Sequence, residues 1–475
     1  MTTRAGIVHP SDADPIAHSA SNLIGGPFGR FARGGRHWWS PLRVLVVFTT
    51  VAYAAGYALD LSCRATGWAS PERYEHLCYS DIPPLYSLRG FADGFIPYLQ
   101  TPPGQTPLEY PVITGIFMQV SAMITRGMTS VSDGLDPSRT FFDVNVVLLL
   151  LALLVAVIAT ALTVKRRPWD AAMVALAPTV ILAATVNWDL LPLAFAGCCL
   201  LLWSRSRPLA AGVLLGLAIA AKFYPLFFLG AFLVLTLRSG RWRAFGLLLL
   251  GTAASWLAVN LPFMLANSEG WSFFYRFSQE RGEDFGSIWF AASQLGIGSI
   301  PPETLNVVAS GLFLLLCVAI GVLALMTERR PRLAQLLFLI VAAFAVTNKV
   351  YSPQYVLWLV PLAAMARPRW RDFIVWQAGE VVYFVAIWWF LVGYGVTDTK
   401  GMTPQWYAVA TFIHVAVTLW FAALIIRDMI RPEKDPVRTD GFDDDSDDPG
   451  GGVFDNAPDV FTLAGLRRHR ATQVS

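Results

Sequence analysis

Two lysines stand where an apolar chain has little use for them. Lys222 opens "KFYP" and Lys349 opens "KVYSP"; each ends an apolar run and is followed by aromatic residues and a proline. Proline carries no N–H and stops a helix. An ionisable group at membrane depth is costly and usually lines a functional cavity. Snorkelling toward headgroups is the plain alternative for a single lysine, but here two lysines share one context and Arg281 lies in a neighbouring polar stretch. Cations gathered at one leaflet suit the phosphate of a lipid. Asp81 and Asp189 do nothing to bind an anion. They make sense as a base and a positioning group, and the combination points to transfer chemistry on a lipid-phosphate substrate.

The elements that must position these residues are apolar. The chain has 475 residues, 55% hydrophobic and 15% charged, with a mean hydropathy of +0.51. A soluble domain carries nearly twice that charge. Apolar runs of bilayer-crossing length recur, so the chain reads as an all-α polytopic membrane protein of about twelve spans. The net charge of +3 gives no reason to expect a nucleic-acid partner. The expected partners are membrane lipids, a lipid-linked donor and an acceptor.

Short-loop Lys and Arg set the orientation. Arg30, Arg33, Arg36 and Arg43 precede the first span, so residues 1–42 read as a cytoplasmic tail and both termini as cytoplasmic. The membrane region is 43–430, with a long outer loop at 63–140 and a second at 267–302. Residues 110–125 are apolar but short and read as an interfacial or re-entrant helix in the first loop. A span is expected at 169–186, and several later spans are short for a bilayer, as for helices that break near the outer face. The tail, 431–475, contains "DGFDDDSDDPGGG" and is expected to be disordered. Cys63 and Cys78 share the first loop; they read as either a disulfide or two thiols.

Several strings resemble a known family. They are "YSDIPPLY" (79–86), "PLEYPVITGIF" (107–117), "NWDLLPLAF" (187–195), "GLAIAAKFYPLFFL" (216–229) and "NKVYSPQYVLWLVPL" (348–362). The chain is similar to the C-type (GT-C) membrane glycosyltransferases, and within them to the largely actinobacterial polyprenol-phosphate-mannose-dependent α-mannosyltransferases. One departure is Val112, where the family commonly has a second proline. The resemblance implies a GT-C fold and an inverting displacement at the outer face of the plasma membrane. In it, Asp81 takes the proton of an acceptor hydroxyl on a cell-envelope glycan or glycolipid, and polyprenyl phosphate departs. Lys222, Lys349 and Arg281 are the expected phosphate-binding cations. No metal or other cofactor is expected, because the leaving group is a monophosphate.

Further candidates surround these. Asp189 reads as orienting sugar hydroxyls or Lys222, or as a helix N-cap. Glu109 reads as an acceptor contact or a cap. Tyr351 and Gln354 shape the site beside Lys349, and Trp289 offers a ring for sugar stacking or belongs to a solvated loop. Glu380 and His414, inside the last two spans, read as satisfying one another. Three rival readings are a lipid-linked saccharide transporter or flippase, a polyprenyl-phosphate-arabinofuranose transferase, and a scaffold. Transporters favour inverted repeats with mid-membrane breaks, whereas here breaks and charges gather on one side.

Overall fold

In a computed structural model the described residues, 7–9, 13–23, 40–396, 399–440 and 446–463, form an all-helical bundle. Arg30, Arg33, Arg36 and residues 441–445 and 464–475 lie outside them. Among the described residues, six helices are long and apolar enough to cross a membrane: Pro41–Thr66, Pro137–Thr163, Trp242–Ala266, Pro302–Met326, Trp370–Val392 and Pro404–Ile430. Five shorter apolar helices of 10–17 residues complete the bundle. This is a multi-pass membrane architecture, but not one of twelve full-length spans.

The short helices are short because they sit inside. Leu333–Thr347 and Val356–Ala366 are buried along nearly their whole length, whereas only 11% of the Pro302–Met326 window is buried. A helix surrounded by protein can break before it reaches the bilayer surface, because neighbouring side chains rather than lipid meet its freed backbone groups. The span expected at 169–186 shows this most clearly. It is a 3-10 turn (Pro168–Ala171) followed by two short helices, Ala172–Ala175 and Pro178–Ala183. Pro168 and Pro178 each remove a donor and hold the preceding residue out of the helical region. The loosened backbone is met from outside: Gln377 Oε1 accepts from Thr179 N (3.2 Å) and Thr179 Oγ1 (2.6 Å).

Close packing fixes the rest. A Cβ added at Gly212 would lie 2.1 Å from the Leu248 carbonyl oxygen. The Pro208–Ala221 helix, which ends at Lys222, therefore crosses Trp242–Ala266 backbone against backbone, as small residues permit in membranes. Residues 112–130 form one helix that is not among the six candidate spans. Cys63, at the end of the first long helix, and Cys78 are joined in a disulfide.

The acidic tail departs from expectation. Its described residues pack against the bundle. Asp435 accepts from Arg332 Nε (2.8 Å), Arg332 Nη2 (2.9 Å) and Gln335 Nε2 (3.2 Å). Asp448 accepts from Leu333 N at 2.7 Å, and Asp459 pairs with Arg238 at 2.8 Å. Phe454, 1% exposed, packs its ring 5.0 Å from that of Trp203. Composition treats such carboxylates as solvated. It cannot see that arginines at the helix ends wait for them. Arg332 and Lys349 flank the same fifteen-residue helix, so the tail lies roughly 20 Å from the lysine end.

Candidate active site where the short helices end

Asp81 is held by the broken segment. Its backbone N–H donates to Val186 O at 2.8 Å, and Ser80 Oγ donates to Thr185 O at 2.7 Å. Each carboxylate oxygen has its own partner. Tyr79 OH donates to Oδ1 at 2.7 Å, and Asn187 Nδ2 donates to Oδ2 at 3.1 Å. Burial pushes the Asp81 carboxyl up, more than the hydrogen bonds from Tyr79 and Asn187 and the charge of Lys222 pull it down. A raised carboxylate is a better proton acceptor. Burial and the Asp81 charge push the Tyr79 phenol up too, so Tyr79 stays a donor.

The same amide leads to the first lysine. Asn187 Nδ2 also lies 2.9 Å from Tyr110 OH, and the Tyr110 ring centre is 5.7 Å from Lys222 Nζ. Lys222 follows the helix ending at Ala221, in extended backbone. Its Nζ lies 3.2 Å from Asp189 and faces the rings of Tyr355 and Trp358 at 5.7 and 5.9 Å. Asp189 stands at an N-cap position but makes no cap hydrogen bond; its Oδ1 accepts from Trp358 Nε1 at 2.6 Å. It orients Lys222 and the aromatic wall rather than the helix.

Lys222, Arg281 and Lys349 line one cavity of about 370 Å³, with Tyr355, Trp358 and Asn306. Lys349 is 7% exposed there. Its Nζ donates to Arg281 O (2.5 Å), Asn306 Oδ1 (2.6 Å) and Gln279 O (3.1 Å). An ammonium has three donors, so all are engaged. Burial, and then the Arg281 charge, hold its pKa below the usual lysine value. Arg281 pairs with Asp284. The loop 267–302 is further pinned by Asp284 N to Lys349 O (2.8 Å) and Tyr351 N to Phe285 O (3.1 Å). Gly286, at φ +77, sits where a Cβ would be 1.9 Å from Tyr351 O; that close approach excludes any side chain.

The remaining candidates fall outside this cavity. Glu109 forms a two-point ion pair with Arg89 at 2.7 and 2.8 Å. Trp289 Nε1 donates to Thr347 O at 3.0 Å and ties the loop to the Leu333–Thr347 helix. Tyr351 is 1% exposed, its ring 4.2 Å from that of His414. Gln354 is buried in the 3-10 turn Pro353–Tyr355. Glu380 and His414 do meet, at 3.0 Å, and His414 Nε2 lies 3.3 Å from Gly286 O. Tyr79, Tyr110 and Asn306 carry no charge that singles them out in the sequence, and Asn187 stands out only as a polar neighbour of Asp189. Tyr79, Tyr110 and Asn187 lie inside the quoted strings; Asn306 carried no signal at all.

Comparison with known proteins adds three findings. ArnT from Cupriavidus metallidurans, whose crystal structure is bound to undecaprenyl phosphate, aligns with 80% of this chain and 77% of that chain, at 15% identity and a TM-score of 0.41. No curated protein matches the sequence. Residues 137–347 match the model of glycosyltransferase family 87. That segment contains Asn187, Asp189, Lys222 and Arg281, while Asp81 and Lys349 lie on either side of it.

Proposed function

We propose that the protein transfers a sugar, mannose, from a polyprenyl-phosphate donor to a hydroxyl of a cell-envelope glycan or glycolipid. The observation that carries this reading is the shared cavity. It holds Lys222 and Arg281, and Lys222 connects through Tyr110 and Asn187 to the carboxylate of Asp81.

The donor phosphate lies against Lys222 and the Arg281 guanidinium. Asp81 accepts the acceptor hydroxyl's proton as its oxygen bonds to the anomeric carbon. The bond from that carbon to the phosphate oxygen breaks, and polyprenyl phosphate departs with the electron pair. A positioned base is worth on the order of 10²–10⁴-fold. Preorganised cations stabilise the charge that grows on the leaving group. Lys349 serves by anchoring the loop that carries Arg281 and by adding positive field, since its N–H donors are already engaged. The Cys63–Cys78 disulfide supports an outer-face site, because such bonds persist in oxidising compartments.

The test is purified protein in vesicles with polyprenyl-phospho-[¹⁴C]mannose and a membrane extract. Label moving into the extract's glycans or glycolipids is the expected result. Label crossing the bilayer still attached to its lipid, with no transfer, overturns the reading in favour of a flippase.

A further inference from the structure

Asp81 has a second neighbourhood, reached through its other carboxylate oxygen. Tyr79, whose hydroxyl holds Oδ1, stacks on Trp388 with ring centres 4.6 Å apart and 26° between planes. Tyr74 lies nearly parallel to both, 5.7 Å from Tyr79 and 6.3 Å from Trp388. The Arg73 guanidinium sits over the Tyr74 ring at 4.7 Å. Tyr74 and Tyr79 are partly exposed, while Trp388 beneath them is 3% exposed. Buried N–H groups without partners are rare in folded proteins. Two belong to this cluster: Arg73 Nε and Trp388 Nε1 have none among the described residues.

We propose that this aromatic platform is the acceptor subsite and binds a pyranose ring of the sugar chain that receives the transferred residue. The proposal rests on the transferase reading and adds to it. In a displacement the attacking hydroxyl and the departing phosphate lie on opposite sides of the anomeric carbon. The Asn187 side of Asp81 leads to the cationic cavity, so the acceptor comes from the Tyr79 side. The apolar face of a pyranose packs on tyrosine rings, and its hydroxyls are acceptors for Arg73 and the Trp388 indole N–H. A lipid chain would use the rings but leave those donors unsatisfied. A free phosphate would use Arg73 but not the rings.

The experiment measures initial rates of the wild type, Tyr74→Ala and Tyr74→Phe while donor and acceptor extract are varied separately. Removing one stacked ring raises half-saturation for acceptor by roughly five- to ten-fold. Half-saturation for donor and kcat stay within about two-fold of wild type, and Tyr74→Phe, which keeps the ring, restores acceptor half-saturation. A ring that served only folding would lower kcat and leave both half-saturation values unchanged. Unchanged acceptor half-saturation, or a parallel shift in the donor value, overturns the platform while leaving transfer intact. Wild-type protein that transfers nothing overturns the transferase reading and the platform with it.

Discussion

Replacing Lys349 by Met tests whether this lysine binds the donor directly or holds the loop that does. The wild-type ammonium gives its three donors to Gln279 O, Arg281 O and Asn306 Oδ1. Methionine has similar length and no donor, so three acceptors lose a partner in a largely buried place. Bonds to a charged group are worth about 1.5–3 kcal/mol each, and they do not add. Because water re-enters as the loop opens, a net loss of about 2–4 kcal/mol in local stability is expected. That corresponds to roughly 30- to 700-fold faster opening-limited exchange. Hydrogen exchange read by mass spectrometry on peptides covering 279–287 and 349–355 is the assay. The Asp284 and Tyr351 amides, bonded across these two segments, report it most directly. Lys349→Arg keeps the charge but not the compact three-point geometry, so it should also speed exchange. Unchanged exchange in Lys349→Met, together with weakened donor binding, refutes the anchor and returns Lys349 to direct contact with phosphate.

Four further outcomes follow from the structure. Asp435→Asn leaves Arg332, 2% exposed at its side chain, without its main counter-charge; breaking such a buried pair costs roughly 3–5 kcal/mol, so proteolysis within 432–463 should accelerate, and wild-type cleavage rates would sink the clamp. The Asp435 carboxyl is held below its usual range, with burial opposed by Arg332; its contribution is therefore present above pH about 4 and lost as pH falls through its depressed value, so tail protection should vanish only in strong acid. Gly212→Ala pushes a methyl into the Leu248 carbonyl and should cost about 1–3 kcal/mol by overpacking, seen as a lower thermal midpoint in detergent; an unchanged midpoint contradicts the close crossing. The rate of transfer should fall on the acid side with a midpoint above the ordinary carboxylate value of about 4, because burial raises Asp81 and the base acts deprotonated; a midpoint at or below that value removes Asp81 as base.

How much of this was legible in sequence differs from residue to residue. The apolar runs mark the all-helical membrane character of the chain, because hydropathy is a local signal. The proline-marked breaks after Lys222 and Lys349 were equally local. The break inside 169–186 was not read, since Pro168 and Pro178 also suit helix starts and only Gln377, far along the chain, makes the interruption tolerable. The packing of the described tail residues is illegible in sequence for the same kind of reason. Asp435 and Arg332 are 103 residues apart, and composition carries no information about such pairs. Among site residues, charge made Asp81, Asp189, Lys222, Arg281 and Lys349 visible. Tyr79, Tyr110 and Asn187 are neutral, and their importance lies in whom they touch. Lys349 shows the limit from the other direction: its chemistry was legible, but not the three carbonyl and amide oxygens that occupy it.

The central claim is that Asp81 acts on the acceptor while the cations of the neighbouring cavity hold the donor. Single-turnover transfer by Asp81→Asn, with polyprenyl-phosphate affinity measured on the same preparation, tests it most directly. The account predicts transfer slowed by on the order of 10²–10⁴-fold with affinity for polyprenyl phosphate within about two-fold of wild type. Undiminished transfer, or affinity lost in step with transfer, contradicts it.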